Sequence, residues 1–340
     1  MDSRTVDILC VGNAMVDVYA VTGGKRRGRL SGQTRVRHVE SDEMAALLAS
    51  LNNAVYTAGG GAANAAKIAG LLGASAGFAG AVGAGPLGKG DEPASFFEAE
   101  LRNAGLRLFL VPGKNPTGSC VILRDGPRDK PEQQTGRDII ACPGASLELS
   151  AGDIPGPLLK AAKVLLLDGY ILTRPELSEA LMNAARGSGV PVALDLGAVF
   201  IVRALGKKIL EYLNEFPLLH FMNEEEARAF TEITGYTPEQ LSGRGPFPLI
   251  VVNQGKQGAT LFSEGRVITA ETEARTPLES TGAGDAFCGA FLSAWVQKKP
   301  LAECAALANK AAGLVLAVPG TAVDEKLREQ FAALQKAYGL

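Results

Sequence analysis

An α/β fold of three layers, with helices over both faces of a mostly parallel sheet and a small β lid attached, is what this sequence predicts. Three observations predict it: short apolar runs of strand length recur along the chain, stretches of helical periodicity fall between them, and two polar, turn-rich segments interrupt the alternation. The strand-like runs are 7–11, 77–82, 164–167, 191–194, 218–222 and 249–252. The helical stretches are 63–73, 93–104, 175–186, 202–215 and 223–234. A hairpin-like pair at 258–262 and 266–270 follows, and helices at about 283–299, 301–317 and 324–337 close the chain. Residues 18–40 and 106–142 read as short strands and turns with polar faces, so one domain over 1–340 is expected to carry a lid built from these two insertions.

Composition narrows the function. The chain has 340 residues and is 46% hydrophobic, enough for a substantial core. Lysine and arginine number 34 against 36 acids, which leaves no positive excess to grip nucleic acid or an anionic membrane and favours a small-molecule partner. Cys10, Cys120, Cys142, Cys288 and Cys304 form no C-x-x-C pair, which predicts a reducing, cytoplasmic setting and no structural zinc. The amino-terminal apolar run is broken by Gly12, Asn13 and Asp17 and does not read as a secretory signal. No stretch reaches the roughly 18 uncharged apolar residues of a membrane span. With only His38 and His220, histidine-based triads and multi-histidine metal sites are poor candidates.

The most informative segment is Ser280 to Phe287, STGAGDAF, ahead of an apolar helix. Gly282, Ala283 and Gly284 leave backbone N–H groups at the positive end of that helix, where charge developing on a phosphoryl oxygen is stabilised. Asp285 in the same turn can accept the proton of an attacking hydroxyl. By its residues alone the segment is equally an ordinary helix start with a dipole-complementing acid. Asn13 and Asp17 follow the first strand, where a carboxylate can take two hydrogen bonds from vicinal hydroxyls. Gly59, Gly60 and Gly61 then enter a helix that carries Asn64, a combination that lets a ligand approach the backbone.

In this order, GNAMVD, AGGGAANAA and STGAGDAF resemble the signature elements of the PfkB, or ribokinase-like, carbohydrate and nucleoside kinases, in register from about residue 6 to residue 325. The resemblance implies an ATP-dependent kinase using Mg2+, with Asp285 as base and Asp17, Asn64 and the glycine run holding the acceptor. Asn223 and Glu226, in NEEEA, match the family's N-x-x-E motif, which implies that they organise magnesium and its waters; the same residues also read as a capped helix start. Asn253, Gly255 and Gly258 resemble the family's nucleotide-contacting turn, with asparagine where many relatives have threonine. Asn309 resembles a position on the helix beside the adenine, and the loop 318–320 resembles part of the K+ site of relatives that bind one. Arg137 resembles a lid arginine that reaches phosphate in some relatives. The long first insertion, ending in a helix at 41–51, and the segment Pro116 to Cys120 are similar to the adenosine-kinase-like branch, which implies a nucleoside acceptor. Sugar kinases of the family and a non-catalytic sensor on the same fold are the alternatives, as monomer or homodimer. Gly83 to Gly88 fits G-x-G-x-x-G, but lacks an acid about 20 residues on and the hydroxyl residue after Lys89 that a P-loop needs, which argues against a dehydrogenase and against a P-loop.

Overall fold

The computed structural model describes residues 6–21, 34–85, 90–124, 137–216, 218–244, 249–273, 281–318 and 321–340. The elements run β1 (Ile8–Val11), β2 (Met15–Val21), β3 (Thr34–His38), α1 (Ser41–Ser50), β4 (Val55–Gly59), α2 (Gly61–Leu71), β5 (Ala76–Gly83), α3 (Glu92–Asn103), β6 (Arg107–Gly113), β7 (Gly118–Arg124), β8 (Arg137–Cys142), α4 (Gly156–Ala161) and β9 (Val164–Asp168). They continue with α5 (Pro175–Ser188), β10 (Val192–Asp195), α6 (Val199–Glu215), β11 (Leu218–Asn223), α7 (Glu224–Thr234), α8 (Pro238–Leu241), β12 (Leu249–Asn253), β13 (Ala259–Ser263), β14 (Arg266–Ala270), α9 (Ala283–Trp295), α10 (Leu301–Val315) and α11 (Glu325–Tyr338).

Among the described residues, nine strands form one sheet in the order β14-β13-β12-β11-β10-β9-β1-β5-β6. All its pairings are parallel except the hairpin that joins β12, β13 and β14. Its strands are apolar throughout because both faces are covered. Ile8 and Cys10 of β1 join the core cluster that contains α9 and α10, while Leu9 and Val11 join the cluster that contains α5 and α6. Helix ends follow local chemistry: α5 starts on Pro175 and stops at left-handed Gly189, and α7 starts in a reciprocal cap between Asn223 and Glu226.

A second sheet of five strands runs β3-β8-β7-β2-β4. It differs from the lid expected at 18–40 and 106–142 in two places. Strand β6 joins the large sheet beside β5, because Leu108 and Leu110 face one core and Phe109 and Val111 the other, a two-sided apolar strand that belongs between helix layers. Strand β4, outside both expected segments, pairs antiparallel with β2 and completes the small sheet. Residues 22–33 and 125–136 of the expected lid lie outside the described residues, as do residues 86–89 of the G-x-G-x-x-G match.

Strand β1 lies between β5 and β9, so the chain leaves it toward opposite ends of the sheet. Such a switch point opens a crevice at the carboxyl ends of the strands, where ligands of open α/β sheets bind. No helix among the described residues is long and apolar enough to cross a membrane.

Candidate active site

A cavity of about 640 Å³ lies between the small sheet and the carboxyl ends of β9 to β12, within the size range of small-molecule sites. Each of those four strands closes on a polar residue: Asp168, Asp195, Asn223 and Asn253, with Asp195 paired to Asp168 and Asn223 to Asn253. Apolar strands thus present one row of oxygen-bearing side chains to the cavity.

Asp285 sits in the first turn of α9 and lines the same cavity. Gly282 takes a left-handed conformation (φ 84°) ahead of that helix, and among the described residues no side chain caps the turn. Gly284 also lines the cavity, and a Cβ there would meet nothing within 4 Å, so this helix end faces open space. Ala283 begins the helix without lining the cavity. Oδ2 of Asp285 accepts from Nδ2 of Asn64 (2.9 Å). Burial, with Asp168 and Glu226 nearby, pushes its carboxyl up to about 6, against the lowering effect of Asn64 and Lys67. Helix α9 reaches α2 this closely because Gly289 packs on the backbone carbonyl of Ala65, where any side chain would collide.

The surrounding acids are raised for the same reason. Burial lifts Asp168, which accepts from the backbone N–H groups of Ala62 (3.3 Å) and Ile171 (3.2 Å). Burial, then Asp285 and Glu226, lifts Asp195 well above its ordinary value. Burial also lifts Glu226, whose Oε2 accepts from the backbone N–H of Asn223 (3.0 Å).

On the small-sheet side, Asp17 is buried on β2, opposite Thr57 of β4 and Cys120 of β7. Gly59 does not line the cavity; its Cα lies against the Asp17 carboxylate, leaving no room for a Cβ. Gly60 adopts φ 95° with its Cα against the carbonyl of Asn13, and both it and Gly61 line the cavity. Asn13 also lines the cavity, its Oδ1 accepting from Nη2 of Arg174 (3.1 Å), so its amide nitrogen is the group left for a ligand. Arg137 of β8 reaches across the cavity and donates to Oγ1 of Thr281 (2.8 Å), tying the small sheet to the segment that carries Asp285. Val36, Ile122, Ile139 and Leu147, with Tyr170 and Phe200, make an apolar wall.

The remaining expected residues divide. Asn223, Glu226 and Asn253 line the cavity; Gly255, Gly258 and Asn309 do not. Gly255 donates its N–H to Oδ1 of Asn253 (3.0 Å), Gly258 packs on the carbonyl of Ala270, and Nδ2 of Asn309 donates to the carbonyls of Ala270 (2.9 Å) and Glu271 (3.3 Å). These three therefore hold the hairpin and α10 together beside the site. No three acidic, histidine or cysteine side chains converge as a metal cluster among the described residues. Hard oxygens at Asn223 and Glu226 nevertheless suit Mg2+, which keeps several waters and takes one or two carboxylates plus substrate phosphates. Residues 319 and 320 of the expected K+ loop lie outside the described residues.

Sequence reasoning missed Asp168, Asp195, Tyr170 and Arg174. The available signal was an aspartate closing each of the runs VLLLD and VALD: a charged residue at the carboxyl end of a buried strand faces the crevice or nothing.

Comparison with known proteins bears on the family and the fold. The model of the pfkB family carbohydrate kinases matches residues 6–327. The bifunctional protein HldE of Pseudomonas entomophila (strain L48) is 30% identical over 318 residues, 93% of this chain and 61% of that protein, so the chain spans about three fifths of the length of such relatives. Among solved structures, adenosine kinase from Sinorhizobium meliloti superposes with TM-score 0.82 at 25% identity, covering 98% of this chain and 99% of that one. A "probable sugar kinase protein" from Rhizobium etli CFN 42 has TM-score 0.83 at 24% identity over the same shares and supports the fold.

Proposed function

Since the chain belongs to the PfkB family of carbohydrate kinases, we propose that it transfers the γ-phosphoryl group of ATP to a hydroxymethyl group of a nucleoside, with Asp285 as general base. The observation that carries this reading is Asp285 itself. One of its oxygens is held by Asn64, the other accepts no hydrogen bond among the described residues, and the carboxylate stands beside an uncapped helix N-terminus in a cavity shared with Asp17. In the step, the acceptor hydroxyl loses its proton to Asp285 as its oxygen bonds the γ-phosphorus. The bond from that phosphorus to the β–γ bridging oxygen breaks, and ADP leaves. Backbone N–H groups from Gly282 to Gly284 stabilise the charge on the transferred group. Asn223 and Glu226 would hold Mg2+, which would supply neutralisation of phosphate charge there.

Asp17 supports binding of a vicinal diol, and the amide nitrogen of Asn13 adds a donor. The apolar wall with Tyr170 and Phe200 favours an acceptor that carries a flat, weakly polar group, as a nucleoside does. The Sinorhizobium meliloti adenosine kinase is in keeping with that choice. A free sugar is the second reading, favoured by the family's description as carbohydrate kinases and by the same diol-binding carboxylate.

A coupled ADP-release assay with ATP and Mg2+, against a panel of nucleosides and free sugars, tests both. Turnover with a nucleoside alone supports the first reading. Turnover with sugars alone keeps the mechanism and replaces the acceptor, whereas silence across the panel favours a ligand sensor on the kinase fold.

A further inference from the structure

Thr321 stands outside every motif that the sequence offers. It lies between α10 and α11, is buried to 1% exposure, and its Oγ1 donates to Oδ1 of Asn64 at 2.6 Å, across 257 positions of the chain. Asn64, also buried, passes the interaction on: its Nδ2 donates to Oδ2 of Asp285 at 2.9 Å.

Hydrogen-bond chemistry permits only one orientation of this chain when Asp285 is ionised. A carboxylate accepts and cannot donate, so only the amide nitrogen of Asn64 can face it. The amide oxygen must then face a donor, and the Thr321 hydroxyl is the donor present. Without that hydroxyl the buried amide oxygen has no partner among the described residues, and a buried acceptor left unpaired disfavours the arrangement that requires it. Turning the amide over gives its oxygen a partner only when Asp285 carries a proton, because a carboxylate cannot donate, so loss of the hydroxyl favours the neutral acid. The link also distinguishes the two oxygens of Asp285. Oδ2 is engaged, while Oδ1 lies beside Gly61, where an added Cβ would come within 3.3 Å of it.

We propose that Thr321 is a positioning residue for phosphoryl transfer, fixing the Asn64 amide so that Oδ2 of Asp285 is restrained and Oδ1 is left as the atom that takes the acceptor's proton. This rests on the kinase reading for its consequence in turnover, but the hydrogen-bond chain can be tested without it. The groups that also act on Asp285 are Asp168, Asp195 and Glu226, which disfavour its charge, and Lys67, which favours it. None of these is changed by altering Thr321.

The test is a carboxyl-carbon NMR titration of the ligand-free protein, with the Asp285 signal assigned by its loss in Asp285→Asn, for wild type, Thr321→Val, Thr321→Ala and Thr321→Ser. Alanine removes the hydroxyl without the bulk of valine and serves if the valine variant does not fold. Loss of the hydroxyl is expected to raise the midpoint of Asp285 by about one pH unit, because the hydrogen bond that favours its charged form is lost or reversed. Serine is expected to keep the wild-type midpoint. In the ADP-release assay the hydroxyl-less variants should lose about tenfold in kcat with acceptor KM within about threefold, and serine should restore kcat. An unchanged Asp285 titration in the hydroxyl-less variants, or serine behaving like alanine, overturns the proposal. If wild type turns over no acceptor, the kinase reading fails separately, and the titration still decides the link.

Discussion

Two groups of buried charge lie one helical turn apart along α2, and they are treated in opposite ways. Lys67 is fully buried, yet its Nζ donates to the carbonyl of Ala58 (2.9 Å) and to Oγ1 of Thr57 (3.2 Å), and it lies 3.7 Å from Oε2 of Glu100. Glu100 in turn accepts from the backbone N–H of Ala58 (2.6 Å). Burial lowers Lys67 to about 8 against the opposing pull of Glu100, so it remains charged at neutral pH. Three residues earlier, Asn64 faces Asp285 in a set of carboxylates with Asp168, Asp195 and Glu226, none of which makes a salt bridge among the described residues. Paired charge at Lys67 fastens β4, and with it the small sheet, to the body. Carboxyl groups that make no salt bridge among the described residues open onto a cavity. The first arrangement makes sense for the fold alone; the second is held at a cost to the fold and is the kind that accompanies function.

Breaking the paired side should have the largest effect. Lys67→Met leaves Glu100 without its cation and the Ala58 carbonyl with only the longer bond from Oγ1 of Thr57 (3.3 Å), and is expected to lose about 3 kcal/mol of stability in denaturant titrations, at the low end for a buried pair because Glu100 is partly exposed. An unchanged midpoint would make the pair irrelevant to the fold. Asp285→Asn acts on the other side with a split outcome: turnover should fall by about a hundredfold or more, while the protein becomes more stable at pH 8. The folded value of about 6 lies above the ordinary 3.8, so Asp285 favours the fold most below its unfolded value and loses that contribution as pH rises through 6. The stability gain should therefore shrink toward pH 5, and thermal unfolding of both proteins across that range checks the sign. For the same reason kcat/KM for the acceptor should decline below about pH 6 in the wild type, and an acid limb well below 5 would assign the base elsewhere. Asp17→Ala should be mildest, raising acceptor KM about tenfold with kcat within about threefold; an unchanged KM would remove Asp17 from the acceptor site.

Legibility in the sequence does not follow that division. Asp285, Asn64 and Glu226 could be singled out because each sits next to glycines or a cap pattern whose local conformation is dictated by a few neighbours, whereas Asp168 and Asp195 of the same set were missed. The buried strands were legible because two-sided burial leaves long apolar runs. Lys67 was not: a lysine inside an alanine-rich helical stretch reads as a solvated position, and only the arrival of Glu100 from α3 and of β4 from the small sheet gives it partners. Thr321 was hidden for a similar reason, since its partner lies 257 positions away. Strand β6 was misread as lid because its one-sided turn signals, PGKNPTG, were visible and its second apolar face was not. Gly255, Gly258 and Asn309 show the converse, for their motif matched while their side chains or backbones bind the hairpin and α10 rather than lining the cavity.

The shortest direct link between strands of the two sheets, among the described residues, bears on how the small sheet is held to the large one. Only Gly12, Asn13 and Ala14 separate β1, in the middle of the large sheet, from β2, which carries Asp17 in the small one. Four residues of extended chain span at most about 14 Å, so the start of β2 stays within that radius of the end of β1 however the small sheet moves. A link of that length corresponds to an effective concentration on the order of millimolar. On the proposed reading, Asp17 would meet the acceptor as a partner within one folded chain, and its capture step should be indifferent to dilution of the protein.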